Sequence, residues 1–356
     1  TFVGEVAGVS AINSGQIGGR RNIIYNGEMK VAQRSASVAG LGAASGYFTL
    51  DRWTVGAGAT AGRFTMAQVA DGPPGFANCM KLTTTTADTS IAAGEHLQLG
   101  QRFEGQDLQQ LKKGTASSEQ VTISFWVKGN AAALYVCELE DLDNNRTIGQ
   151  SFAVTTSWNR IELTFAADTS DPLDDDNAAS LAVIFWLHAG STYTGGTFAS
   201  NTWADAVQAN RAAVDGFTSI FDSTSRTLFI TGYQMEIGAT ATEFESSTYG
   251  DELALCQRYY ETSVGSPAGS SPAAGTASSG NVQSLDFGFS VTKRASPTMG
   301  YQTGTAWQYF NGTSWVALTT VLSGSINGFS VQGNTGTNNS TLFRPNGAIV
   351  SAASEL

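Results

Sequence analysis

The chain has 356 residues, enough for two domains of ordinary size or for one large β domain with appendages. Nineteen Lys and Arg against 30 Asp and Glu leave a net charge of −11. No basic cluster interrupts that balance, so a phosphate backbone is repelled and nucleic acid is excluded as a partner. No apolar run reaches the roughly 18 residues of a membrane span, and no membrane insertion is expected.

Charged residues are 14% of the chain while 41% is hydrophobic, so the polar surface must come from Ser, Thr, Asn, Gln and Gly. Forty Gly, 19 Phe and only two His describe many turns and aromatic packing, the habit of all-β proteins. Thr1-Phe2-Val3-Gly4-Glu5 has neither the basic nor the apolar stretch of a secretory signal, which leads to the expectation of synthesis in the cytoplasm. Cys79, Cys137 and Cys256 are odd in number and widely spaced, so they are expected to be reduced and inert.

Residues 1–21 are small and Gly-rich and cannot form a core, so they read as an extended arm. From residue 22 onward the pattern is that of strands. Val121, Ile123, Phe125 and Val127 alternate with Thr122, Ser124, Trp126 and Lys128, and Ile161, Leu163 and Phe165 alternate with polar neighbours. Residues 181–187 are apolar at both phases, as expected for a strand covered on both faces. Residues 106–113 predict one short helix, stopped by Gly114. Residues 251–260 predict a second, with Leu253, Cys256 and Tyr260 on one side. Residues 262–280 carry no charge and read as a Gly/Ser/Pro-rich linker. Beyond it Leu285, Phe287 and Phe289 alternate again, and Asn311-Gly312 predicts a hairpin turn. The expected class is therefore all-β: a jelly-roll β-sandwich over 22–248, a connector helix over 249–261, and a small C-terminal β domain over 281–356.

Four groups of residues could carry chemistry. Glu138 and Glu140, two apart on one strand, are the carboxylates a polysaccharide-cleaving enzyme could use, but a solvated strand face leading into the turn at 143–145 is the plainer reading and no active site is expected there. Asp171, Asp174, Asp175 and Asp176 lie in a stretch of five Asp without a base. Calcium is the one cofactor such a loop could take, although the EF-hand spacing is absent and a solvated turn is the plainer reading. His96 and His188 lie near no nucleophile motif and are too few for an ordinary zinc site. Flat aromatic rings in polar surroundings suit sugar faces, and here Trp203, Trp307, Tyr309 and Trp315 are the candidates, whereas Trp53, Trp126 and Trp186 read as core. The stretch 295–343 has no charged residue and is rich in Asn, Gln, Ser and Thr, which suits a neutral glycan or a contact between subunits.

Several segments together resemble a family of bacteriophage virion proteins: RRNIIYNGEMKVAQR at 20–34, DRW at 51–53, QRFEGQDLQQLKKGT, VTISFWVKG, LFITGYQMEIGATATEFE, and above all ELALCQRYYE within 249–261. The family is often described as tail fibre or phage structural protein, with a jelly-roll domain like a carbohydrate-binding module, and the resemblance covers residues 20–261. It implies a virion protein, homotrimeric as fibres are, held to other virion proteins by its N-terminal arm and engaging host surface polysaccharide. It identifies no catalytic residues, and no enzyme is expected. The rival expectations are an architectural head fibre or capsid decoration protein without receptor binding, and a polysaccharide depolymerase.

Overall fold

The computed structural model describes residues 11–12, 15–16, 20–262, 273–274, 276–278, 282–303, 307–310, 313–334, 342–345 and 349–356. Its chain divides into two compact units, 1–249 with Leu356, and 250–355. Most of the expected arm, the expected linker and the turn residues 311–312 lie outside the described residues.

The first unit begins with a two-residue ladder, β1 (Ala11–Ile12) on β2 (Gly15–Gln16). There follow β3 (Ser37–Leu41), β4 (Gly46–Tyr47), β5 (Thr54–Gly58), β6 (Arg63–Val69) and β7 (Cys79–Thr86). Then come β8 (His96–Glu104), β9 (Val121–Gly129), β10 (Ala133–Asp141), β11 (Arg146–Val154) and β12 (Asn159–Phe165). The series ends with β13 (Ala179–Ala189), β14 (Ala204–Asp205) and β15 (Thr227–Ile237). One sheet has the order β14-β11-β10-β13-β8-β5-β4 and the other β12-β9-β15-β7-β6-β3. Eight strands, β7 to β13 and β15, alternate between them so that β7-β15-β9-β12 lies in one sheet and β8-β13-β10-β11 in the other. That is the strand order of a jelly roll.

The core between the sheets is aromatic. Phe125 of β9 meets Phe152 of β11 and Phe185 of β13 at ring distances of 5.0 Å each, and Tyr233 of β15 at 5.4 Å. Trp53 stands edge-on to Tyr233 at 5.3 Å. Each such ring contributes about 1.5–3 kcal/mol by leaving water, and the edge-to-face arrangement adds to it.

Strand β13 is buried at both phases for the reason its sequence implies. Val183 and Phe185 belong to the core, while Ala182, Ile184 and Trp186 on the other face are covered by Tyr193, Phe198, Ala212, Val214 and Phe217 from the long segment that follows. A single helical turn, α1 (Ser191–Thr194), lies in that segment. In place of the helix expected over 106–113 there are two 3₁₀ turns, Gly105–Asp107 and Gln109–Leu111. They still bury Leu108 and Leu111 and stop where Lys112 and Gly114 take positive φ values of 51° and 79°.

The second unit carries most of helix α2 (Tyr249–Gln257), whose tail differs from expectation. The helix stops at Gln257 because Tyr260 is drawn into β16 (Tyr260–Thr262), paired with the last strand, and strand pairing outweighs helical periodicity there. After β17 (Ala273–Ala274) and β18 (Thr276–Ser278) come β19 (Val282–Gly288), β20 (Thr298–Thr303) and β21 (Trp307–Phe310). The rest are β22 (Trp315–Gly324), β23 (Gly328–Asn334), β24 (Leu342–Pro345) and β25 (Ile349–Ala353). They form a three-stranded sheet, β16-β25-β20, and a seven-stranded one, β17-β24-β21-β22-β23-β19-β18. Lys293 is buried against Glu261 of β16, 2.5 Å from its Oε2, and burial lowers the lysine pKa against the pull of that carboxylate.

Candidate functional site

Trp203 precedes the edge strand β14 and is half-buried. Its Nε1 donates to the Ala166 carbonyl at 2.8 Å, and the Lys113 ammonium lies 5.5 Å from its ring. With Leu111, Val121, Leu139, Phe165 and Leu181 it lines a hollow of only about 20 Å³ at the end of the sandwich, so one side of the ring acts as a stopper for the core.

Trp307, Tyr309 and Trp315 lie in the second unit. The side chains of Trp307 and Tyr309 are outside the described residues. Their strand β21 pairs with β22 so that Tyr309 lies opposite Val316 and Phe310 opposite Trp315. Directly opposed residues share a face and successive residues alternate, so the register position of Trp315 belongs to the other face of the sheet from those of Trp307 and Tyr309. The three do not form one platform. Trp315 is half-buried.

The acidic loop is organised from within. Asp171, Asp174, Asp175 and Asp176 are exposed, and Asp171 has a positive φ of 51°. Lys113 Nζ donates to the carbonyls of Ser170 at 3.1 Å and Asp171 at 2.8 Å, and forms ion pairs with Asp141 at 2.5 Å and Asp168 at 3.1 Å. Gln109 Nε2 donates to the Asp174 carbonyl at 3.1 Å, and Asn144 Nδ2 to that of Pro172 at 2.9 Å. A lysine thus gathers the carbonyls of this loop and two buried carboxylates around its ammonium. Among the described residues, these four aspartates supply no set of three carboxylates close enough to share an ion.

Glu138 and Glu140 do not form a solvated face. Glu138 is 1% exposed and accepts from Arg211 Nε at 2.9 Å and from Trp186 Nε1, while Glu140 pairs with Arg211 Nη2 at 2.8 Å. The guanidinium also lies 5.1 Å from the Trp186 ring. Burial pushes the Glu138 carboxyl up to about 7 against the pull of Arg211. The hollow beside the pair measures about 40 Å³, room for water and not for a sugar ring. The sequence missed this arrangement because Arg211 comes from a segment with no periodic pattern.

Another opening lies in the second unit. A cleft of about 450 Å³ is lined by Phe287 and Gly288 of β19, Gly324 of β22, Ser325 and Asn327 of the β22–β23 turn, and Gly328, Phe329 and Ser330 of β23. Phe287 and Phe329 are stacked at 5.0 Å and 18°, and Phe289 extends the stack at 5.7 Å. A Cβ on Gly328 would sit 2.4 Å from the Phe287 carbonyl, and one on Gly324 2.9 Å from Met299 Sδ, so glycine is what allows the walls to approach. No charged side chain lines the cleft, and Asn327, Ser325 and Ser330 supply both donors and acceptors beside apolar rings. The signal in the sequence was the uncharged composition, but the residues singled out from it were the tryptophans.

Trp53 and Trp186 are fully buried, as their patterns imply, whereas Trp126 is only half-buried on the outer face of its sheet. Nearby on that sheet, Lys128 Nζ stands 4.9 Å from the Trp158 ring and 4.7 Å from Phe229, and pairs with Asp71 at 3.0 Å. All three cysteines are free and buried, and burial raises the Cys79 thiol to about 11, which leaves it unreactive.

No protein-family model matches the chain, and no curated protein matches it. Among solved structures it is similar to a family 11 carbohydrate-binding module from Clostridium thermocellum in complex with a β-1,3-1,4-mixed-linked tetrasaccharide, at 14% identity over 58% of this chain and 99% of that one, TM-score 0.29. It is also similar to TmCBM61 in complex with β-1,4-galactotriose, at 10% identity over 61% of this chain and 99% of that one, TM-score 0.31. A third is the N-terminal CBM22-1-CBM22-2 tandem domain of Xyn10C from Paenibacillus barcinonensis, at 12% identity over 90% of this chain and 91% of that one, TM-score 0.26. A likeness of this size assigns no ligand.

Proposed function

We propose that this protein is a bacteriophage fibre component that holds neutral glycan on the host surface without cutting it. The observation that carries the reading is the uncharged cleft of about 450 Å³ in the second unit, with stacked Phe287 and Phe329 on one side and Asn327, Ser325 and Ser330 within reach. Sugars offer C–H faces to rings and hydroxyls to amides and other hydroxyls, and a neutral sugar gains nothing from a charged wall. The virion setting rests on the sequence resemblance, from which also follow a homotrimer, attachment through the first 21 residues, and assembly in a host cytoplasm. Binding without cleavage accords with Glu138 and Glu140, which share a buried guanidinium instead of flanking an open groove.

The test is binding of fluorescently labelled protein to intact host cells, with unlabelled protein assayed for blocking of phage adsorption. Binding with blocking, lost in Phe287→Ala or Asn327→Ala at unchanged oligomer mass, is the expected result. A folded protein that neither binds nor blocks would favour the architectural head fibre, and release of reducing ends from host polysaccharide would favour the depolymerase.

A further inference from the structure

One end of the sandwich in the first unit gathers three side chains that no part of the glycan reading uses. Asp88 and Glu95 come from the connection between β7 and β8, and His188 from β13, with one ligating atom of each within 4.8 Å of the other two. All three are buried, at 6%, 6% and 0% exposure. The ladder between β13 and β8 shifts register between Trp186 and His188, and irregularities of this kind redirect a side chain. His188 accordingly stands against the Phe221 ring, 5.2 Å away, which in turn packs on core residue Phe64.

The orientation of each group suits a ligand. His188 Nδ1 lies 2.7 Å from Ser219 Oγ, a hydroxyl also fixed by the Phe221 N–H at 2.9 Å, so Nε2 is the nitrogen turned to the carboxylates. Metal-bound imidazoles are held by their second nitrogen in this manner. Asp88 Oδ2 accepts from Thr60 Oγ1 at 2.9 Å, Ala61 N at 2.8 Å and Gly62 N at 3.3 Å, and the Asp88 carboxylate also lies within hydrogen-bonding reach of the Glu95 carboxyl, so the two acids face each other across the site. His188 Nε2 and Glu95 Oε2 are 3.4 Å apart, long for a hydrogen bond. Zinc binds nitrogen and oxygen at about 2.0–2.2 Å, and in a tetrahedron such bonds separate two ligands by roughly 3.4 Å. Among the described residues, neither carboxylate pairs with Lys or Arg, and the titratable partners of these two buried acids are each other and His188. One divalent cation with a neutral imidazole would balance them.

We propose that Asp88, Glu95 and His188 form a zinc site that ties together the β5–β6 turn, the β7–β8 connection, the end of β13 and the segment leading into β15. Calcium takes oxygen ligands and is a poor match for the imidazole. Three protein ligands leave a fourth position for water, and the role is structural.

The experiment uses the full chain, freed of metal, loaded with zinc and desalted, with metal content measured by plasma mass spectrometry and affinity by competition with a chromophoric chelator. The expected result is one zinc per chain, a melting temperature raised by roughly 5 to 10 °C at saturating zinc, and no comparable shift with calcium. Glu95→Gln and His188→Gln, each checked by circular dichroism for native fold, should bind zinc at least ten-fold more weakly. A folded wild-type chain that retains no more zinc than these variants overturns the proposal, and so does zinc held equally well by wild type and both variants.

Discussion

Glu138 and Arg211 lie 73 residues apart and meet at 2.9 Å under a segment that the chain folds back over its own sheet. Glu140 receives the same guanidinium, so one cation serves two carboxylates where little water reaches.

The raised Glu138 pKa makes a stability prediction. A carboxyl whose folded pKa is above its unfolded value of 4.5 contributes stability that is fully present below 4.5 and is lost as pH rises through about 7. The loss is up to about 3 kcal/mol. Chemical denaturation of wild type and Glu138→Gln at a series of pH values should show the wild-type advantage over the variant shrinking between pH 4.5 and 7. A difference independent of pH in that window would contradict the assignment.

Removing the cation is a different matter. Arg211→Met leaves Glu138 and Glu140 buried or half-buried beside each other with no counter-charge, a change that costs about 3–5 kcal/mol. Urea midpoints of wild type and variant measure it, and the deficit should diminish toward low pH, where the carboxyls protonate.

Beside the same strand, Lys113→Met should lower stability by about 3–5 kcal/mol, because it leaves buried Asp141 without its cation, Asp168 with Arg146 alone, and two loop carbonyls without their donor. Calcium titrated into metal-free wild type should leave the melting temperature unchanged at this loop. A calcium-dependent rise that survives Glu95→Gln would show that the aspartates bind the ion after all.

In the second unit, Trp315→Ala separates recognition from packing. Trp315 lies on the opposite sheet face from the register positions of Trp307 and Tyr309, so its loss should leave cell binding within about two-fold of wild type if the cleft at Phe287 and Asn327 holds the glycan. Cell-binding titration with mass measurement of the oligomer checks this.

A fifth measurement concerns the core. Phe125→Ala removes the ring on which Phe152, Phe185 and Tyr233 converge and should cost about 3–5 kcal/mol by equilibrium denaturation.

What could be read in the sequence was whatever repeats with the period of a strand. Phe125 and Val127 on β9, and the doubly apolar run of β13, signal their burial by alternation or by its absence. The jelly-roll class followed from those strands. The site did not, because its parts come from segments without periodicity. Arg211, Lys113 and the β22–β23 turn are single residues or short turns whose partners lie far off in sequence. Composition located the uncharged region of the second unit, but which rings border an opening depends on register, and a shift of one residue decides whether Trp315 joins Tyr309 or Phe310. The bend that turns His188 inward left no mark in composition at all.

Lys113 in its ring of carbonyls and carboxylates has a further consequence. Its ammonium is attached to the chain it organises, so it can be neither diluted away nor removed by a chelator. A loop built on a soluble ion takes its shape from the medium around it. This one carries its cation through every change of medium, so that end of the sandwich keeps its shape whatever ions surround it.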